Sequence, residues 1–123
     1  MGGQGTPELI DSALADLLPR RNEVKPDHVI NIVADAYSLS PDRMSGWDRS
    51  RQVALPRQIA MYLMREEVNI SLPQIGEALD GRDHTTVMYG YDKIADLLKR
   101  DVKIRRQVIE IREQLYGQST VIT

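Results

Sequence analysis

Arg82, Asp83, His84, Thr85 and Thr86 are five consecutive polar residues between Gly81 and the apolar pair Val87–Met88. They offer a guanidinium, a carboxylate, an imidazole and two hydroxyls, a set suited to hydrogen bonding rather than packing. Asp83 is placed to cap a helix, because its carboxylate can accept from backbone N–H groups of the first turn. Val87, Tyr91, Ile94 and Leu98 then recur at helical spacing and predict the buried face of that helix. His84, Thr85, Met88 and Tyr89 fall largely on another face, left for a partner. Helices that enter the DNA major groove present their N-terminal residues to base edges in this way. Threonine suits that role, with a hydroxyl for a base edge or phosphate and a methyl for thymine. Met88 reads equally as core material or as an apolar contact to a thymine methyl, and the Tyr89 hydroxyl is placed to reach a phosphate.

Catalysis fits the same residues poorly. The only other histidine is His28, in an acidic region, and there is no cysteine. The chain therefore has no disulfide and no thiolate metal site. Asp83 is better used as a cap than as a partner for His84, and no nucleophile with a spaced base accompanies them. No GxxxxGK[ST] motif is present, so nucleotide hydrolysis through a P-loop is excluded.

A net charge of −2 looks unsuited to a polyanion until it is resolved along the chain. Seven acids between Glu8 and Asp42 face only Arg20, Arg21 and Lys25, whereas Arg43, Arg49, Arg51, Arg57 and Arg65 face Asp48 alone. Exposed charges act over roughly 8 to 10 Å at ordinary salt. A phosphate backbone would therefore sense the local basic segment, not the chain total. Arginine also favours forked, directional contacts over diffuse attraction.

These side chains need a frame, and the periodicity predicts an all-α one with about six or seven helices. The apolar positions Leu9, Ile10, Leu14, Leu17 and Leu18 suggest a short helix from Pro7 to Leu18. A second begins near Pro26 with Val29, Ile32, Val33 and Ala36 as its stripe. Ser40–Pro41 opens a short helix stopping before Gly46. Trp47 to Gln52 reads as an exposed basic loop. A longer helix starts between Val53 and Pro56, with Pro56 in its first turn, and runs to about Val68 on Ile59, Ala60, Leu63 and Met64. Ser71-Leu-Pro-Gln74 matches a capping box and predicts a helix burying Leu72, Ile75 and Leu79. Asp80–Gly81 ends it, and with the helix from Asp83 it has helix-turn-helix proportions. The last helix opens at Asp101, carries Ile104, Val108, Ile111 and Leu115, and is expected to end at Gly117. With five tyrosines, one tryptophan and no phenylalanine, the core must be mostly aliphatic.

Pro56-Arg57-Gln58-Ile59-Ala60-Met61-Tyr62-Leu63, Ser71-Leu72-Pro73-Gln74-Ile75-Gly76 and Gly81-Arg82-Asp83-His84-Thr85-Thr86-Val87, in this order and at these separations, resemble the C-terminal DNA-binding domain of the bacterial replication initiator family DnaA. The similarity covers roughly Lys25 to Tyr116. It implies monomeric binding to an asymmetric AT-rich element, the DnaA box, in double-stranded DNA. Asp83, His84, Thr85 and Met88 match the family's major-groove positions, and Arg49 matches an arginine that enters the adjacent minor groove, whose narrow AT-rich form attracts cations. Arg57, Gln58, Arg65, Thr86 and Tyr89 match backbone-contacting positions. Arg51 and Arg82 join them, and Leu72 and Pro73 lie where the first motif helix approaches the phosphates. The chain departs from the pattern at Asp80, where glycine is common, at Tyr89, where histidine is frequent, and at Trp47–Asp48, which interrupts a loop usually richer in basic residues.

The expected organisation is a flexible leader over residues 1–6, a helix and linker over 7–24 that resemble the end of an AAA+ domain, a DnaA-like domain over 25–117 and a tail over 118–123. Met1 to Thr6 formally fits an N-myristoylation pattern, but a flexible leader is the preferred reading. No cofactor is expected in this fragment; ATP would belong to the absent AAA+ domain, whose absence suggests an excised fragment or a stand-alone relative. With no membrane-length apolar run, the expected setting is cytoplasmic and nucleoid-associated, and the expected role is non-enzymatic DNA binding at replication origins. The competing readings are a helix-turn-helix regulator of transcription or transposition, and a protein-interaction module that docks through Asp101–Tyr116.

Overall fold

The computed structural model describes residues 24–47 and 50–121, with side chains as far as Tyr116. Among these residues it contains six helices and no strand: α1 (Pro26–Ala36), α2 (Pro41–Ser45), α3 (Arg51–Leu63, continued by a π-helical turn Met64–Val68), α4 (Leu72–Ala78), α5 (His84–Arg100) and α6 (Val102–Val121). The helix expected over Pro7–Leu18 lies outside the described residues.

Local chemistry sets most of the boundaries. The Ser40 hydroxyl accepts from Arg43 N at 3.2 Å and starts α2. At α4 the capping box is complete: Ser71 Oγ accepts from Gln74 N at 3.3 Å, while Ser71 N donates back to Gln74 Oε1 at 2.9 Å. Asp101 caps α6 through Lys103 N (3.0 Å) and Ile104 N (3.2 Å). Asn69, in the left-handed region at φ 66°, closes the π turn.

The core is aliphatic and methionine-rich, as the composition requires. Ile59, Ala60, Leu63 and Met64 of α3 are fully buried and share one core with Ile75 and Leu79 of α4, Val87 and Ile94 of α5, and the α6 row Ile104, Val108, Ile111 and Leu115. Helices α3 and α5 approach closely at Gly90, where a Cβ would stand 2.5 Å from Met61 Sδ and 3.1 Å from Gln58 Cγ. A side chain there would force Met61 and Gln58 to shift in a close-packed core.

Four expectations need correction. The buried face of α1 is Val29, Ile30, Val33 and Ala34, so Ile32 is only half-buried and Ala36 is exposed. Helix α3 starts at Arg51, with Ser50 at the N-cap position accepting through its carbonyl, so Arg51 and Gln52 belong to its first turn and not to a loop. Pro56 consequently lies inside α3. Its ring removes the N–H that would bond Gln52 O, but Gln52 is exposed and water can replace that donor. Helix α6 continues through Gly117 to Val121, since a single glycine weakens a helix without ending it.

Candidate nucleic-acid interface

Helices α4 and α5 meet through a turn held on one carbonyl. Gly76 O accepts from both Gly81 N (3.0 Å) and Arg82 N (2.9 Å). Asp80 (φ 68°) and Gly81 (φ 82°) are both left-handed, which reverses the chain within two residues. Gly81 adopts this freely; Asp80 is among the few side-chain-bearing residues that tolerate it. The turn delivers Asp83 to the N-cap of α5, where its carboxylate accepts from Thr85 N at 3.3 Å and from the Thr85 hydroxyl. The hydroxyl hydrogen bond, more than any other influence, holds the Asp83 carboxyl below its ordinary range. The His84 Nδ1 atom lies 3.6 Å from the other Asp83 oxygen.

Beyond the cap, His84, Thr85, Thr86, Met88 and Tyr89 are all exposed, while Val87 and Gly90 turn inward. Met88 and Tyr89, at 45% and 63% exposure, are two of the few large apolar groups left uncovered. For Met88 this removes one of the two sequence readings: it is not core material. Because Thr85 donates its proton to Asp83, its oxygen retains acceptor capacity and its methyl stays outward-available. The tip is thus a mixed surface of acceptors, an imidazole and two apolar groups on a fully packed helix.

The arginines divide into two groups. Arg43, Arg51 and Arg65 are exposed, and Arg65 uses one N–H on Ile70 O at 3.1 Å. Arg57 behaves otherwise. It is only 6% exposed, its Nε donates to Met44 O at 2.7 Å and its Nη2 to Arg43 O at 3.3 Å. Its guanidinium therefore satisfies the carbonyl end of α2, correcting the expectation of an open phosphate ligand. Arg82 is likewise turned inward: Nη1 donates to Ser45 O (2.8 Å) and Leu79 O (2.5 Å), and Nη2 to Gly46 O. Trp47 covers it, with the guanidinium carbon 4.8 Å from the ring centroid. Partial burial lowers the Arg82 pKa, and the Asp80 charge opposes that shift.

Of the remaining predicted positions, Pro73 is exposed while Leu72 and Gln58 are half-buried. Arg51 and Gln58 line one side of a groove of about 290 Å³ whose other side includes Lys93 of α5. Nothing in the sequence around Lys93 marks this groove. Arg49 lies outside the described residues. No group of three or more His, Cys, Asp or Glu side chains able to hold a metal occurs among the described residues.

Residues 26–94 match the family described as bacterial dnaA protein helix-turn-helix. The chain belongs to that family. The matched stretch runs from the start of α1 to Ile94 in α5, so it includes every element that builds the turn and the polar tip. The chain is 47% identical to the chromosomal replication initiator protein DnaA of Herpetosiphon aurantiacus over 116 residues, 93% of this chain and 25% of that protein. It is equally similar to the DnaA of Roseiflexus castenholzii, at 47% over 93% of this chain and 24% of that protein. The Thermus thermophilus DnaA is 43% identical over 82% of this chain and 23% of its own length. The chain thus spans about a quarter of the length of the DnaA relatives it matches. No helix among its described residues is long and apolar enough to cross a membrane.

Proposed function

We propose that the chain binds double-stranded DNA sequence-specifically at DnaA-box-like sites and serves as the DNA-reading part of a replication initiator. The observation that carries this reading is the tip of α5: five exposed side chains of hydrogen-bonding or apolar character stand on a helix start that is capped, packed and fixed by its turn. Asp83, His84, Thr85 and Met88 would contact base edges in the major groove, and base contacts supply sequence choice. Arg51, Arg65, Thr86 and Tyr89 would contact phosphates, with Gln58, Leu72 and Pro73 at the edge of the same face. Arg49 would enter the adjacent minor groove. Phosphate contacts make the affinity fall steeply with salt. The domain would bind as a monomer, without cofactor or catalysis.

Selection of bound duplexes from a random library tests the reading. One enriched, asymmetric AT-rich element is expected. A palindromic consensus would point to a dimeric regulator, and an unenriched pool would overturn specific binding altogether.

A further inference from the structure

Arg82 opens the polar stretch, yet its side chain faces away from the surface that stretch presents. Of its five N–H donors, three are engaged by main-chain carbonyls. Two of those carbonyls, Ser45 and Gly46, lie 37 and 36 residues away in sequence, at the end of α2; the third, Leu79, belongs to the helix-turn-helix turn itself. One guanidinium therefore joins the segment leaving α2 to the turn that launches α5. Nearby, Gly46 N donates to Asp42 O at 2.9 Å and Ser45 Oγ to Pro41 O at 3.2 Å, while Trp47 is 62% exposed. An exposed indole seldom orders a loop by burial. Here it lies over the guanidinium, an arrangement that favours cation–π attraction.

From these contacts we infer that Arg82 is a positioning residue, not a DNA ligand: with Trp47 as its cover, it sets where the segment after α2 stands relative to the tip of α5. The inference rests on the proposed DNA-reading role, since its consequence is the relative placement of two parts of one interface. A forked donor is required because carbonyls from two separate elements must be held at once. Lysine, with a single ammonium, cannot span them in the same geometry. This also accounts for a tryptophan at position 47, where a cation would repel Arg82.

Trp47 is the only tryptophan in the chain, so its fluorescence reports the contact without DNA. In the full 123-residue chain, Arg82→Ala and Arg82→Lys should both shift Trp47 emission to the red and increase its quenching by acrylamide, while circular dichroism stays helical. Unchanged emission and quenching in a folded Arg82→Ala protein would overturn the inference, whatever the DNA results. Binding adds a second discriminator. Arg82→Ala should weaken the selected duplex roughly tenfold, the worth of about one charge-assisted hydrogen bond, with the salt dependence unchanged. Trp47→Ala, which removes no charge and no core contact, should reproduce part of that loss. A salt slope shallower by about one ion for Arg82→Ala, with Trp47→Ala at wild-type affinity, would make Arg82 a phosphate ligand and defeat the proposal. Absence of any duplex preference in the wild type would defeat the DNA-reading role, while the fluorescence result would still decide whether Arg82 positions the segment after α2.

Discussion

Gly76 and Arg82 are in backbone contact across the helix-turn-helix: a Cβ placed on Gly76 would stand 2.0 Å from the Arg82 carbonyl oxygen. The same glycine's carbonyl receives the N–H groups of Gly81 and Arg82. The first motif helix and the start of the second thus touch without a side chain between them. Gly76→Ala forces backbone against backbone, which no rotamer change relieves. It should destabilise the domain by about 3 kcal/mol or more, at or beyond the usual overpacking range. Gly81→Ala, strained in φ but facing open space, should cost only about 1 kcal/mol. Urea unfolding of both variants ranks them; the reverse order would refute the contact.

Asp80 adopts a left-handed conformation at φ 68°, which explains why glycine is common there in the family. Asp80→Gly should stabilise by about 1 kcal/mol through relief of that strain. On the proposed DNA-reading role it should also raise DNA affinity more at low salt than at high, since an exposed carboxylate next to the proposed reading helix is removed. Thermal melts and titrations at two salt concentrations check both parts.

Arg57 has become a structural residue. Arg57→Ala leaves the buried end of α2 without its donor, so a stability loss of about 1 to 3 kcal/mol is expected. Urea midpoints should fall before any change in DNA binding is assessed. A variant of wild-type stability would show that the carbonyls find other partners and return Arg57 to the phosphates.

Alkali should act through Tyr91. Its hydroxyl donates to Glu66, and that hydrogen bond, with burial second, pushes the tyrosine pKa up to about 12. The raised pKa means the neutral phenol is favoured in the fold. Its contribution is therefore fully present below the unfolded value of about 10 and is lost as pH rises through about 12. Tyr91→Phe should lower stability at pH 9 and flatten the loss between pH 10 and 12. Parallel curves for the two proteins would contradict this.

Local signals carried much of the architecture. Ser71 with Gln74, Asp83 before an aliphatic stripe, and the α6 row from Ile104 to Leu115 all announce themselves within a few residues, because caps and amphipathic faces are local devices. Side-chain direction is not local. Arg57 and Arg82 resemble the other arginines in sequence, but carbonyls 13 and 37 residues away turn them inward. The same limit hid Glu67, which is buried in the π turn because Tyr116 donates to it at 2.7 Å and Arg112 Nε lies 2.7 Å away, both from the last helix. Gly90 was invisible for a related reason: its role depends on which helix crosses it. Trp47 is likewise silent in sequence, because the guanidinium it covers comes from 35 residues further along the chain.

The central claim is that the exposed tip of α5 chooses the DNA sequence, and Thr85 tests it most directly. Its hydroxyl is bonded to the Asp83 cap and its side chain is exposed, so replacing it should alter the reading surface while leaving the core intact. Titration of wild type and Thr85→Ala against the selected duplex and a scrambled one gives the ratio of the two affinities. The ratio should fall by the equivalent of about 1 to 3 kcal/mol in Thr85→Ala, with binding to the scrambled duplex little changed. An unchanged ratio would contradict the account.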